Sequence, residues 1–95
     1  MTRHYLVGDL SRLLGRLQAA TPDAARARQV ARLRQETEAR TPEELGPVAH
    51  RALDLTEVMC WESLTQCDLG AFEEQAELSA ELYELGVCGG LLEGD

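Results

Sequence analysis

His50, Asp54 and Glu57 stand at i, i+4 and i+7, which lines up an imidazole and two carboxylates along one stripe of a helix. A stripe of that kind could hold a divalent metal or relay a proton. It falls on the polar side of its helix, where a histidine beside acids is ordinarily solvated, and no second histidine stands near enough to complete a ligand set. Cys60 and Cys67 lie seven residues apart, on one helix face and about 10 Å from each other by helix rise. That separation rules out a bridge between them, and their place in an apolar arc predicts buried thiols. Cys88, beside Gly89 and Gly90, is the thiol expected at the surface. Zinc would require closely spaced ligand pairs, which these three cysteines do not form. The residues that could do chemistry therefore predict no catalytic group, no metal and no cofactor: the expectation is a protein that is not an enzyme.

Three cysteines without a CxxC also argue against a disulfide framework and fit a reducing compartment. Charges at Arg3, Asp9, Arg12 and Arg16 interrupt every apolar run near the start, and no run approaches the ~20 apolar residues of a membrane span. A cytoplasmic protein without a membrane partner is expected. All nine basic residues are Arg, and Lys, Asn and Ile are missing. AT-rich codons encode those three, so the bias points to a GC-rich, bacterial genome.

Charge is unevenly spread. Residues 1–40 hold eight Arg against four acids, whereas residues 41–95 hold one Arg against thirteen, in a chain of net charge −8. The plainest expectation is that the arginines of the second helix pair with the acids of the third or fourth, each exposed pair adding ~0 to 1 kcal/mol. If they do not, Arg26, Arg28, Arg32 and Arg34 are the residues that would face nucleic acid, as in a small DNA-binding regulator or antitoxin-like factor. The net negative charge works against that alternative, because affinity for nucleic acid is largely counterion release.

The elements that carry these residues read as helices. Four segments repeat apolar residues at helical spacing, and no strand is expected. They predict a single all-α domain over 1–95, an antiparallel bundle of about four helices. The first helix, about 5–20, carries Leu6, Leu10, Leu13, Leu14 and Leu17 on one stripe. The second, about 22–40, starts at Thr21-Pro22-Asp23 with Thr21 as its cap; only Val30 and Leu33 are large, so it should be peripheral. The third, about 42–66, opens on a Thr41–Glu44 capping box and must kink or restart near Pro47. Its wide apolar arc predicts a central helix. The fourth, about 69–85, is capped by Asp68, turns Phe72, Gln75, Leu78, Leu82 and Tyr83 one way and Glu73, Glu77, Glu81 and Glu84 the other, and ends at Gly86. Residues 87–95 form a flexible tail in this reading.

Trp61 is the residue that does not fit a simple bundle. It projects from the polar side of the third helix, with Val58 on the adjacent flank, so either another helix or the C-terminal tail covers it or it is an exposed anchor of an interface. Trp is enriched at binding hot spots, and the acidic face of the fourth helix could meet a basic surface. These features predict a non-catalytic protein-protein interaction or regulatory adaptor module, with a protein partner and self-association as a homodimer. The interaction residues are Val58, Trp61, Glu73, Glu77, Glu81 and Glu84. A further alternative is a small-ligand-binding bundle with an apolar pocket under Met59, Cys60 and Cys67.

Overall fold

The computed structural model describes residues 5–92. It contains four α-helices, α1 (Tyr5–Ala19), α2 (Ala24–Glu38), α3 (Gly46–Thr65) and α4 (Leu69–Cys88), with a 3-10 turn at Pro42–Glu44 before α3. No strand occurs among the described residues. Each helix lies against the next, and α4 returns to α1, so the four close into a ring. The bundle measures 22 × 18 Å in cross-section, the size of two helices by two at the usual 8–10 Å spacing. The ring is uneven: α1 is closely joined to α2 and α3 to α4, while the α2/α3 seam is loose.

The leucine stripe of α1 is the main source of the core. Leu6, Leu10, Leu13, Leu14 and Leu17 are all buried, joined by Val30 and Leu33 of α2, Val48, Ala52 and Met59 of α3, and Leu78 and Leu82 of α4. The apolar arc of α3 predicted a central helix, but only one side of it is covered. Leu53, Leu55 and Cys60 are half-buried, and Leu64 and Cys67 lie in solvent. Because α3 packs on α4 and only loosely on α2, the outer edge of its arc has no neighbour.

Local signals set most helix ends. Asp68 caps α4 by accepting from the Ala71 N–H at 3.1 Å. The Thr41–Glu44 capping box forms, with the Glu44 carboxylate accepting from the Thr41 N–H at 3.0 Å. The chain restarts as α3 at Gly46, with Pro47 in the first turn where its missing N–H costs nothing. The start of α2 differs from expectation. Asp23, not Thr21, is the cap, accepting from the Arg26 N–H at 3.1 Å, and the helix begins at Ala24. Thr21 instead closes α1, its hydroxyl donating to the Leu17 carbonyl.

The end of α4 also differs. The helix runs through Gly86 to Cys88, so Val87 and Cys88 are helical and not part of a tail. Gly90, at φ 73°, takes the left-handed position expected of Gly86. The Leu91 N–H then donates to the Gly86 carbonyl at 2.7 Å and the Gly90 N–H to the Val87 carbonyl at 3.2 Å, a Schellman pair of bonds. Leu91 is buried against the core. Residues 93–95 of the expected tail lie outside the described residues.

Candidate interaction surface

The two ends of the α3/α4 hairpin and the ion pairs around it fix which way each helix faces. Ser63 of α3 donates to the Gln75 side-chain carbonyl at 2.7 Å, and the Gln75 amide donates to the Ala20 carbonyl at 3.4 Å. Gln75 is buried, so this chain of bonds joins α3, α4 and the end of α1 through a polar group that would be costly to leave unpaired. On the other flank of α4, Arg16 of α1 pairs with Glu81 at 3.2 Å and with Glu74 at 3.7 Å. These contacts place α3 on one side of α4 and α1 on the other. On a wheel of about 100° per residue, Leu69, Ala76, Ala80, Tyr83 and Val87 then fall within an arc of about 60° that points away from both.

That arc is open to solvent. Leu69 and Tyr83 are each 60% exposed and Val87 49%, with Ala80 exposed and Ala76 and Phe72 half-buried. Tyr83, expected to face inward with Leu82, instead stands at the edge of the arc beyond the reach of α1 and α3. Trp61 is 66% exposed. It lies opposite the buried strip of α3, and Leu64, 38% exposed, stands one turn further on toward α4. Trp61 and Leu64 on α3, and Leu69, Tyr83 and Val87 on α4, are thus large apolar side chains left open on the outer sides of these two helices.

The remaining predicted interaction residues separate. Val58 is exposed, but it shares its stripe with Glu62, whose carboxylate reaches Arg26 of α2, so Val58 belongs to the α2 flank. Glu73, Glu77 and Glu84 are exposed beside the apolar arc, whereas Glu81 is taken up by Arg16 at the half-exposed edge of the α1/α4 contact. The acidic surface of α4 that faces outward is narrower than the sequence predicts.

Among the arginines of α2, Arg26 grips Glu62 with two bonds of 3.0 and 2.7 Å, and that hydrogen-bonded carboxylate holds its guanidinium above the ordinary pKa. Arg34 donates to Ser11 at 3.3 Å and lies 3.7 Å from Glu38. The pairing of α2 is thus with α3, α1 and itself, and the α4 acids that pair, Glu74 and Glu81, go to α1. Arg28 and Arg32 are exposed and project from the outer side of α2. Two open arginines are a much smaller basic surface than the four the sequence offered for nucleic acid.

The groups with potential chemistry are dispersed. Among the described residues, no three His, Cys, Asp or Glu side chains come together as a metal site. Asp54 and Glu57 are exposed while His50 is half-buried. Cys60 is half-buried, and burial, reinforced by Glu57, pushes its thiol pKa up. Cys67 was expected to be buried but is exposed. It takes the left-handed position after α3 at φ 58°, where its N–H donates to the Leu64 carbonyl and the Asp68 N–H to the Ser63 carbonyl. Cys88 is exposed. A groove of about 710 Å³ opens at the loose α2/α3 seam, lined by Leu33, Ala39 and Leu55 with Arg32, Glu36 and Arg51 at its edge. Met59 lines a different hollow of about 180 Å³, shared with Thr21, Arg26 and Gln66. Neither opening is the pocket under Cys60 and Cys67 that the sequence suggested.

No helix among the described residues is long and apolar enough to cross a membrane. Comparison with protein-family models, with curated proteins and with solved structures finds no match for this chain.

Proposed function

We propose that this chain is a non-catalytic protein-protein interaction or regulatory adaptor module, acting in the cytoplasm, whose docking surface is the outer face of α3 and α4. The observation that carries the proposal is Trp61, an indole two-thirds exposed and opposite the buried strip of α3, with exposed Leu64 on the side toward α4, where Leu69, Tyr83 and Val87 are also open to solvent. Scattered exposed apolar residues are normal, whereas a contiguous patch of several hundred Å² marks a binding surface. Tyr and Trp at its centre are the side chains that most often dominate association energies. The non-catalytic part rests on the dispersal of the candidate groups, with Asp54 and Glu57 in open solvent, His50 and Cys60 half-buried, and Cys67 and Cys88 exposed beyond or at the ends of their helices.

Site-specific photo-cross-linking tests the proposal. A benzophenone side chain introduced at position 61 or 83 and irradiated in the native host should give discrete polypeptide adducts, while the same group at Arg12, on the α1 side, should give none. Equal labelling at all three positions, or none at 61 and 83, would refute it.

A further inference from the structure

The α2/α3 seam is the loosest join in the ring, and long side chains span it. Arg26 reaches Glu62 at 2.7 Å near one end, and Arg51 reaches Glu36 at 2.9 Å near the other. These two pairs run in opposite senses along the chain, so α2 and α3 are antiparallel and Leu33 comes level with Leu55. The two leucines do not close the gap. A groove of about 710 Å³ runs along α2 from Gln29 to Ala39, and a hollow of about 400 Å³ continues it back past Arg28 to Ala25. At 1.5 Å per residue, the stretch from Ala25 to Ala39 is about 21 Å long.

The floor of the groove is apolar. Leu33, Ala39 and half-buried Leu55 line it, and Val58, 43% exposed, carries it a turn further along α3. The α2 rim is basic. Arg28 and Arg32 stand one turn apart, both exposed, and neither has an ion-pair partner among the described residues. The acids beside them are engaged: Glu36 holds Arg51 and Arg40, Glu62 holds Arg26, and Asp23 caps α2. On the α3 rim Arg51 is matched by Glu36 and Asp54 stands one turn on, so that rim carries no net positive charge. The acids of α4 lie on the helix diagonal to α2, across a section of 22 × 18 Å. That distance exceeds the ~10 Å over which exposed charges act at about 0.1 M salt.

We propose that this groove docks an amphipathic helix of a partner protein, one whose apolar stripe is edged with Asp or Glu. An open groove between two helices takes a third by its apolar face and leaves the other half of that helix in water. A compact metabolite would need most of its surface buried, which a groove open along its length does not give. The length accommodates about four turns, with apolar anchors at i, i+4, i+7 and i+11. Acids beside those anchors would fall against Arg28 and Arg32. A basic helix would meet two uncompensated guanidinium groups, and nucleic acid would find only two open arginines on a chain of net charge −8. This groove lies on the α2 side of α3, away from Leu64, Leu69, Tyr83 and Val87. It is a second docking face, and it does not rest on the exposure of Trp61.

Two synthetic helical peptides of about 15 residues, enough for those four turns, test the proposal. Both carry leucines at the anchor positions; one has Glu beside them and the other has Lys. Added to the purified full chain, the Glu peptide should shift amide NMR signals within 25–39 and 51–58, saturating with a Kd on the order of 100 μM for so small a contact. Raising NaCl from about 100 mM to about 500 mM should weaken it at least roughly threefold, and the Lys peptide should bind at least roughly tenfold more weakly. Arg28→Glu combined with Arg32→Glu, both at exposed positions, should keep the circular dichroism of the parent and reverse the order of the two peptides. No saturable shift up to about 1 mM, equal affinity for both peptides, or shifts confined to α4 would overturn the proposal. A double variant that still prefers the Glu peptide would do the same. A short DNA duplex that moves the α2 signals when the Glu peptide does not would assign the arginines to nucleic acid and overturn it equally.

Discussion

Replacing Gly89 by Ala should destabilise the bundle, and replacing Gly8 by Ala should stabilise it. Both glycines sit in ordinary right-handed helical backbone, so neither change meets a dihedral penalty. They differ in what the new methyl would touch. At Gly8 there is nothing within 4 Å, so the substitution gains the full helix preference of Ala over Gly, about 0.8–1 kcal/mol. At Gly89 the added carbon would lie 2.6 Å from Cδ2 of Leu6 and 2.9 Å from the Leu85 carbonyl oxygen. Leu6 is fully buried and the carbonyl belongs to the helix backbone, so neither can give way without moving the core. Overpacking of that kind costs typically 1–3 kcal/mol, offset by at most ~1 kcal/mol from the reduced freedom of the unfolded chain. The net loss is about 1–2 kcal/mol, which lowers Tm by roughly 5–15 °C in a domain of this size. Thermal melts followed by circular dichroism should rank Gly8→Ala above the parent and Gly89→Ala below it. A Gly89→Ala protein as stable as the parent would refute the close seating of the α4 terminus on Leu6.

Other expectations follow from single contacts. Ser63→Ala should cost about 1–3 kcal/mol in urea unfolding, because it leaves the buried Gln75 carbonyl without its donor. Cys67→Gly should add about 1 kcal/mol, since only glycine takes φ 58° without strain; an unchanged urea midpoint would contradict that backbone assignment. Iodoacetamide should modify Cys67 and Cys88 before Cys60, whose raised thiol pKa keeps it neutral; mass spectrometry of partially labelled protein gives the order. That same raised pKa means the contribution of neutral Cys60 is complete below the unfolded thiol pKa and lost as pH climbs through the folded one. Glu44 has the opposite sign: hydrogen bonds from Thr41 depress its pKa, so its contribution holds above the unfolded carboxyl pKa and fades as pH falls through the folded one. The stability difference between the parent and Glu44→Gln should accordingly shrink in acid.

Periodicity made the helices legible, and local capping chemistry made several of their ends legible. The leucine stripe of α1, the Asp68 cap and the restart at Pro47 are each written within a few neighbouring residues. Features that depend on where one helix lies against another were not. The apolar arc of α4 includes Tyr83 as naturally as Leu82, and only the positions of Arg16 and Ser63 decide that Leu82 is covered and Tyr83 is not. Gly86 looks like a helix end because a glycine after a leucine usually is. Here the chain needs it inside the helix, where a Cβ would sit 2.6 Å from Leu92, and the turn is made four residues later. Cys67 gave no signal at all, because a left-handed position normally announces itself through glycine or asparagine. Trp61 was the exception among long-range features. Its place on the polar side of α3 marked it from the sequence, which left open whether another helix or the tail covers it, and in the structure it is 66% exposed.

Trp61 is the only tryptophan in the chain, so its fluorescence reports directly on whether a partner covers it. Acrylamide quenching should be strong in the isolated protein, where Trp61 is 66% exposed, and should weaken, with a blue shift in emission, when the polypeptide captured by the position-61 photoprobe is added. Quenching that the captured polypeptide leaves unchanged would contradict docking through Trp61.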